Sequence, residues 1–248
     1  KQSGRPFLNL PMIRNALSSG TFSLFPEAKN VPARRPLALC FDLYDDAEGL
    51  PETLDALERY GVRATFFLGG EFIRRYPAAA ADIAAQGHEM ASLFFAAIDL
   101  SDARYRISGD FIARGLARNE DEFYKAVSGS RAEGAELALL WHPPYFAASG
   151  EIEAAAAASG YVTVKANVDP LDWVSREDEK RFSLSQKSAA DMIDDIMEAV
   201  KPGSIVPIRL GLLPGGRRDY LFNRLNVLLD ALVQGGYAPV TVSETLRN

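Results

Sequence analysis

From Pro36 onward, short apolar runs rich in β-branched and aromatic residues alternate with longer stretches of helical period. That alternation predicts parallel strands joined by helices and excludes a sandwich or a bundle. Strands are predicted at Leu37–Leu43, Val62–Leu68, His88–Leu93, Leu137–Trp141, Val162–Ala166, Ser204–Arg209 and Pro239–Val242. Helices are predicted at Leu50–Tyr60, Glu71–Gln86, Leu100–Val127 with breaks at Gly109 and Gly115, Glu151–Ser159, Ser188–Val200 and Tyr220–Gln234. Seven such units fit an α/β fold of closed or nearly closed type, a distorted parallel (β/α)7 barrel, better than an open sheet.

Before this pattern, residues 1–35 are rich in Pro, Ser and Asn and carry only short apolar runs, so they are expected to be an arm or linker; residues 36–248 form the domain. The chain begins at Lys1, not Met, which points to a processed or excised chain. A formal charge of −6 argues against a broad electropositive face, so neither nucleic acid nor an anionic membrane is an expected partner. The basic pairs Arg74-Arg75 and Arg217-Arg218 are expected to be solvated. Cys40, the single cysteine, allows neither an intrachain disulfide nor a cysteine zinc cage. No stretch reaches the ~18 apolar residues needed to span a bilayer.

Asp42-Leu43-Tyr44-Asp45-Asp46 occupies the first strand-to-helix turn, where a nucleotide site would place glycines. In a parallel barrel the site forms at the carboxyl ends of the strands. Asp42, His88, Leu93, His142, Asp169, Asp172, Trp173 and Arg209 stand at or near the ends of predicted strands. Ionisable groups from separate strands at one mouth point to a site.

The run Leu50–Met90 is similar to the corresponding segment of polysaccharide and chitin deacetylases, the NodB homology domain. Lys201–Arg209 and Leu232–Leu246 continue the resemblance, WHPPY (Trp141–Tyr145) resembles the family's Arg-x-Pro-Tyr motif, and VDPLDW (Val168–Trp173) its Asp-x-x-Asp-Trp motif. The resemblance runs from Pro36 to the C-terminus. It implies metal-assisted hydrolysis of an N-acetyl group, with an Asp as base, a His as acid, and an extracytoplasmic setting.

The resemblance also places Leu43, Leu93 and Ala97 at the three metal-ligand positions, and none of these side chains can donate a lone pair. Zinc, expected for the family, is therefore not expected here, and no cofactor is. His142 stands at the position of an Arg that orients the base, and Arg209 at that of the acid His; arginine does not shuttle protons. Asp42 matches the base, Asp172 the orienting carboxylate, Tyr145 a backbone donor to the oxyanion, and Trp173 a groove wall. Asp42, His142, Asp172 and Arg209 are expected to form a charge-paired cluster, with Asp42 paired to His142 or Arg209. His88 is expected to be structural. Asp45, Asp46 and Asp99 are candidate ligands of a rebuilt metal site, and Phe94, Phe95 and Phe146 are candidates to extend an aromatic wall with Tyr145 and Trp173. The resulting expectation is a domain with little or no activity that binds carbohydrate or a protein partner through the old cleft. The alternative is an active hydrolase with metal-independent or rebuilt-metal chemistry.

Overall fold

A computed structural model of the protein describes residues 35–247. The arm expected over residues 1–35 lies outside the described residues except for Arg35, which opens the first strand. The strands are β1 (Arg35–Leu43), β2 (Thr65–Leu68), β3 (Glu89–Ser92), β4 (Leu137–Trp141), β5 (Val162–Thr163), β6 (Ile205–Leu210) and β7 (Tyr237–Val240). They pair in parallel in the order β5-β4-β3-β2-β1-β6, and β7 pairs with the start of β1. The sheet curls with its helices outside, the distorted barrel that the strand and helix periods predict.

β1 shows how the sequence divides the layers. Leu37, Leu39, Phe41 and Leu43 enter the large outer core beneath the helices, while Ala38, Cys40 and Tyr44 join the inner cluster. Successive side chains of a strand point to opposite faces, so Asp42 falls on the inner face with Ala38 and Cys40. Register places Asp42 beside Arg209 of β6.

The helices are α1 (Leu50–Tyr60), α2 (Gly70–Arg75), α3 (Pro77–Ala85), α4 (Gly109–Val127), α5 (Gly150–Ala158), α6 (Arg176–Phe182), α7 (Ala189–Ala199), α8 (Leu225–Gln234) and α9 (Val242–Arg247). Several depart from the periodic reading for local reasons. β2 begins at Thr65, not Val62, because left-handed Gly61 ends α1 and the Val62 N–H donates back to the Leu57 carbonyl. The helix predicted over Glu71–Gln86 is divided where Pro77 supplies no N–H and restrains Tyr76. Ser108 caps α4, so the helix starts at Gly109, but it runs through Gly115 unbroken. α6 buries none of its residues and so left no apolar period to read; its capping box, Ser175 with Asp178, fixes it instead.

β6 is an end strand, and its outward backbone is covered one position at a time. Asn167 Oδ1 accepts the Ile205 N–H (2.9 Å), Pro207 has no N–H, and Asp172 Oδ2 accepts the Arg209 N–H (2.7 Å). The predicted strand over Val162–Ala166 stops at Thr163, and the segment after it meets β6 through these two side-chain caps and the Asn167 N–H bond to the Ile205 carbonyl (3.3 Å).

Candidate active site

A cleft of about 920 Å³ opens at the carboxyl ends of the strands, and Asp42, Tyr44, Ala97, Tyr145, Phe146, Asp172, Trp173 and Arg209 are among the residues lining it. Five of the six residues proposed for catalysis or substrate contact therefore meet at one mouth. The sixth, His142, lies fully buried behind them.

Asp42 and His142 come together, with Nε2 of the imidazole 2.9 Å from Oδ1 of the carboxylate. The other ring nitrogen, Nδ1, is 3.0 Å from the Pro143 carbonyl. A carbonyl only accepts, so the contact to Pro143 requires Nδ1 as donor. The ring is stacked on Phe146 (centroids 4.1 Å apart) and tilted against Phe67 (4.5 Å). The pair is thus internally compensated and shielded by aromatic faces.

The expected four-residue charge cluster is not formed. Asp172 grips the backbone of Arg209 and not its guanidinium, because the N–H of an end strand needs a cap. The guanidinium instead lies over the Tyr44 ring, 4.2 Å from its centroid, and its buried Nε has no hydrogen-bond partner among the described residues. The expected oxyanion donor is engaged as well: the Tyr145 N–H donates to the Tyr44 hydroxyl (3.1 Å), and the two rings stack at 5.5 Å. Tyr44 is the residue the sequence reading missed. The signal was present, since Tyr44 ends the segment resembling a family motif that closes with glycine.

Other candidates separate. Asp45 meets Arg75, Asp46 accepts the Leu212 N–H (2.8 Å) and Asp99 accepts the Ser101 N–H (2.9 Å), so the loop acids serve local turns and do not converge. Phe94 and Phe95 are buried away from the cleft, Phe94 against α4 and Phe95 against Gly70 under the guanidinium of Arg118. Phe146 and Trp173 do line the cleft, and Trp173 Nε1 donates to Asp169 (3.2 Å). Arg217 is not solvated as expected: it is buried and donates to the carbonyls of Leu171, Val174, Lys187 and Asp219, clamping the segment that carries Asp172 and Trp173. His88 accepts the Ala64 N–H through Nδ1, and burial beside Arg63 lowers its pKa to about 4.

Burial pushes the Asp172 carboxyl up to about 7, against the pull of the Arg209 N–H. An acid whose folded pKa is raised contributes stability that is fully present below its unfolded pKa and is lost as pH rises through the folded value. Stability should therefore fall between about pH 4 and pH 7, by at most about 1.4 kcal/mol per pH unit from this group. Asp172→Asn removes the titration. The stability difference between wild type and variant, read from chemical denaturation, is expected to shrink by more than about 1 kcal/mol across that range. His88, which acts in the opposite sense, cancels in the difference. A difference independent of pH would show that Asp172 is not held protonated by the fold.

The family model for polysaccharide deacetylase matches residues 29–164. A chitooligosaccharide deacetylase of Bradyrhizobium sp. is 27% identical over 218 residues, covering 84% of this chain and 89% of that protein. Another, from Rhizobium leguminosarum bv. phaseoli, is 30% identical over 184 residues, covering 73% and 70%. Among solved structures, a CE4 family pseudoenzyme from Bacillus anthracis superposes with a TM-score of 0.69 at 20% identity, covering 87% of this chain and 66% of that one. The parallel curled barrel is the fold that this chain shares with that structure. The chain belongs to the polysaccharide deacetylase family.

The family implies a divalent metal, and the side chains at the corresponding positions do not fit one. Leu43 is packed in the outer core and Leu93 in the inner cluster, with Ala97 against the latter. Among the described residues, no group of three His, Cys, Asp or Glu side chains is placed to hold a metal ion.

Proposed function

We propose that this domain no longer hydrolyses N-acetyl groups by the metal-dependent route of its family and instead holds carbohydrate in the cleft. The observation that carries this reading is the donor set. At the three ligand positions stand two leucines and an alanine, and Tyr44 occupies the backbone N–H that would face an oxyanion. Without a Lewis acid and with Arg209 in place of a proton-donating histidine, neither the attacking water nor the leaving amine has a catalyst. The cleft keeps what a sugar requires: exposed aromatic faces at Tyr145, Phe146 and Phe182 beside Trp173, to which sugar C–H faces pack, and polar groups between them.

One observation favours a second reading: the Asp172 carboxyl, near 7, stands at the same mouth as the Asp42–His142 pair, and a carboxyl raised into that range can exchange a proton near neutral pH. Incubation with N-acetylglucosamine oligomers, with and without zinc, separates the two. The first reading expects oligomer binding by calorimetry, weakened when Tyr145 and Trp173 are both changed to Ala, with no acetate released in either condition. Zinc binding with acetate release overturns it. Acetate release without zinc that disappears in Asp42→Asn establishes the second reading.

A further inference from the structure

Four cationic side chains line the cleft, and three of them are accounted for. Arg104 pairs with Asp102 at 2.6 Å, Lys165 pairs with Glu153 at 3.0 Å, and Arg181 is exposed over Phe182. Arg209 is different. It is 9% exposed, makes no ion pair among the described residues, and has a buried Nε with no partner. The nearest carboxylates are committed elsewhere: Asp42, its register neighbour, is paired to His142, and Asp172 accepts the backbone N–H of Arg209 itself. A buried guanidinium is ordinarily compensated by a carboxylate, and among the described residues its contact is the face of Tyr44.

We infer that the cleft takes an acidic sugar, a uronate or another carboxylated unit, and that the carboxylate of that sugar docks on the guanidinium of Arg209, which lines the cleft. The inference rests on the carbohydrate-binding reading above and names the ligand class for it. The guanidinium presents donors in a planar fork that matches a carboxylate with two parallel hydrogen bonds. A sugar hydroxyl can accept one of these bonds but leaves the buried charge uncompensated. A dianionic phosphate would supply the charge, but it would stand among Asp42, Asp169 and Asp172, which line the same cleft, so a single negative charge is the better fit. The aromatic side chains around the mouth hold the ring while Arg209 holds its acidic substituent.

The test is calorimetric titration of the whole chain with short neutral oligomers carrying one terminal galacturonate and, separately, with neutral N-acetylglucosamine oligomers, for wild type, Arg209→Gln and Arg209→Lys. The expected result is that galacturonate binds wild type at least about tenfold more tightly than the neutral oligomer. Arg209→Gln should remove that preference, and Arg209→Lys, which keeps the charge without the fork, should fall between. Circular dichroism confirms that each variant is folded. Should Arg209→Gln not fold, the perturbation of the Arg209 Nε–H resonance of wild type by galacturonate gives the same answer. Neutral oligomers binding as tightly as galacturonate, or an unchanged galacturonate affinity in Arg209→Gln, overturns the acidic-sugar assignment and leaves the cleft reading standing. Absence of binding by both oligomers overturns both.

Discussion

Leu43→Asp is expected to lower the unfolding free energy by about 4 kcal/mol or more, enough to leave much of the protein unfolded. The substitution looks like the simplest step toward restoring a metal ligand, yet the fold resists it. Leu43 is fully buried at the end of β1, between Leu68 of β2 and Leu210 of β6, and belongs to the outer apolar core. A carboxylate there loses water and gains no cation, while the apolar contacts of leucine disappear. Comparison of denaturation midpoints checks this, and a loss below about 1 kcal/mol would show that the position is open to water. Adding zinc to the single variant should not recover the loss, because Leu93 and Ala97 still lack donors. Repair of the metal site therefore requires coordinated changes.

Gly115→Ala should cost about 3 kcal/mol, an unusually large penalty for a substitution that favours helix. A Cβ at Gly115 would lie 2.1 Å from Cζ of Phe94, whose ring is fully buried against α4. Phe94 cannot easily withdraw: its backbone is left-handed, with φ of 73°, and its N–H is held by Ser92 Oγ at 3.2 Å. In a Phe94→Ala background the added methyl should be tolerated, so the double-mutant cycle is expected to show coupling of at least about 2 kcal/mol. Additive effects would mean that the ring and the glycine do not touch. The contact also bears on function. It explains why Phe94, two residues before the loop that reaches Ala97, is directed into a side core and not into the cleft.

These two positions illustrate where the sequence could and could not be read. The strand over Leu37–Leu43 is legible in the chain itself, but only the structure shows Leu43 turned to the outer core and Asp42 to the inner face. The motif resemblance likewise brought Asp42, Tyr145, Asp172, Trp173 and Arg209 to one mouth, because residues at the ends of parallel strands must converge there. Gly115 was read as a helix break on local propensity alone. What decided its role was a ring arriving from a loop twenty-one residues earlier, and no window of helical length contains both.

The sequence by itself determined the parallel α/β barrel and the family, since these follow from short-range periodicity and ordered motifs. The tertiary structure alone decided how the surviving polar groups are partnered. Asp172 went to a backbone amide because β6 is an end strand, His142 took Asp42 under an aromatic cover, Arg217 turned inward to gather four carbonyls, and Tyr44 filled the space between Tyr145 and Arg209. Hydrogen-bond partners and burial depend on distances between residues far apart in the chain. For that reason a charge list could name the members of this site but could not say that Arg209 would be buried over Tyr44 with no ion pair among the described residues.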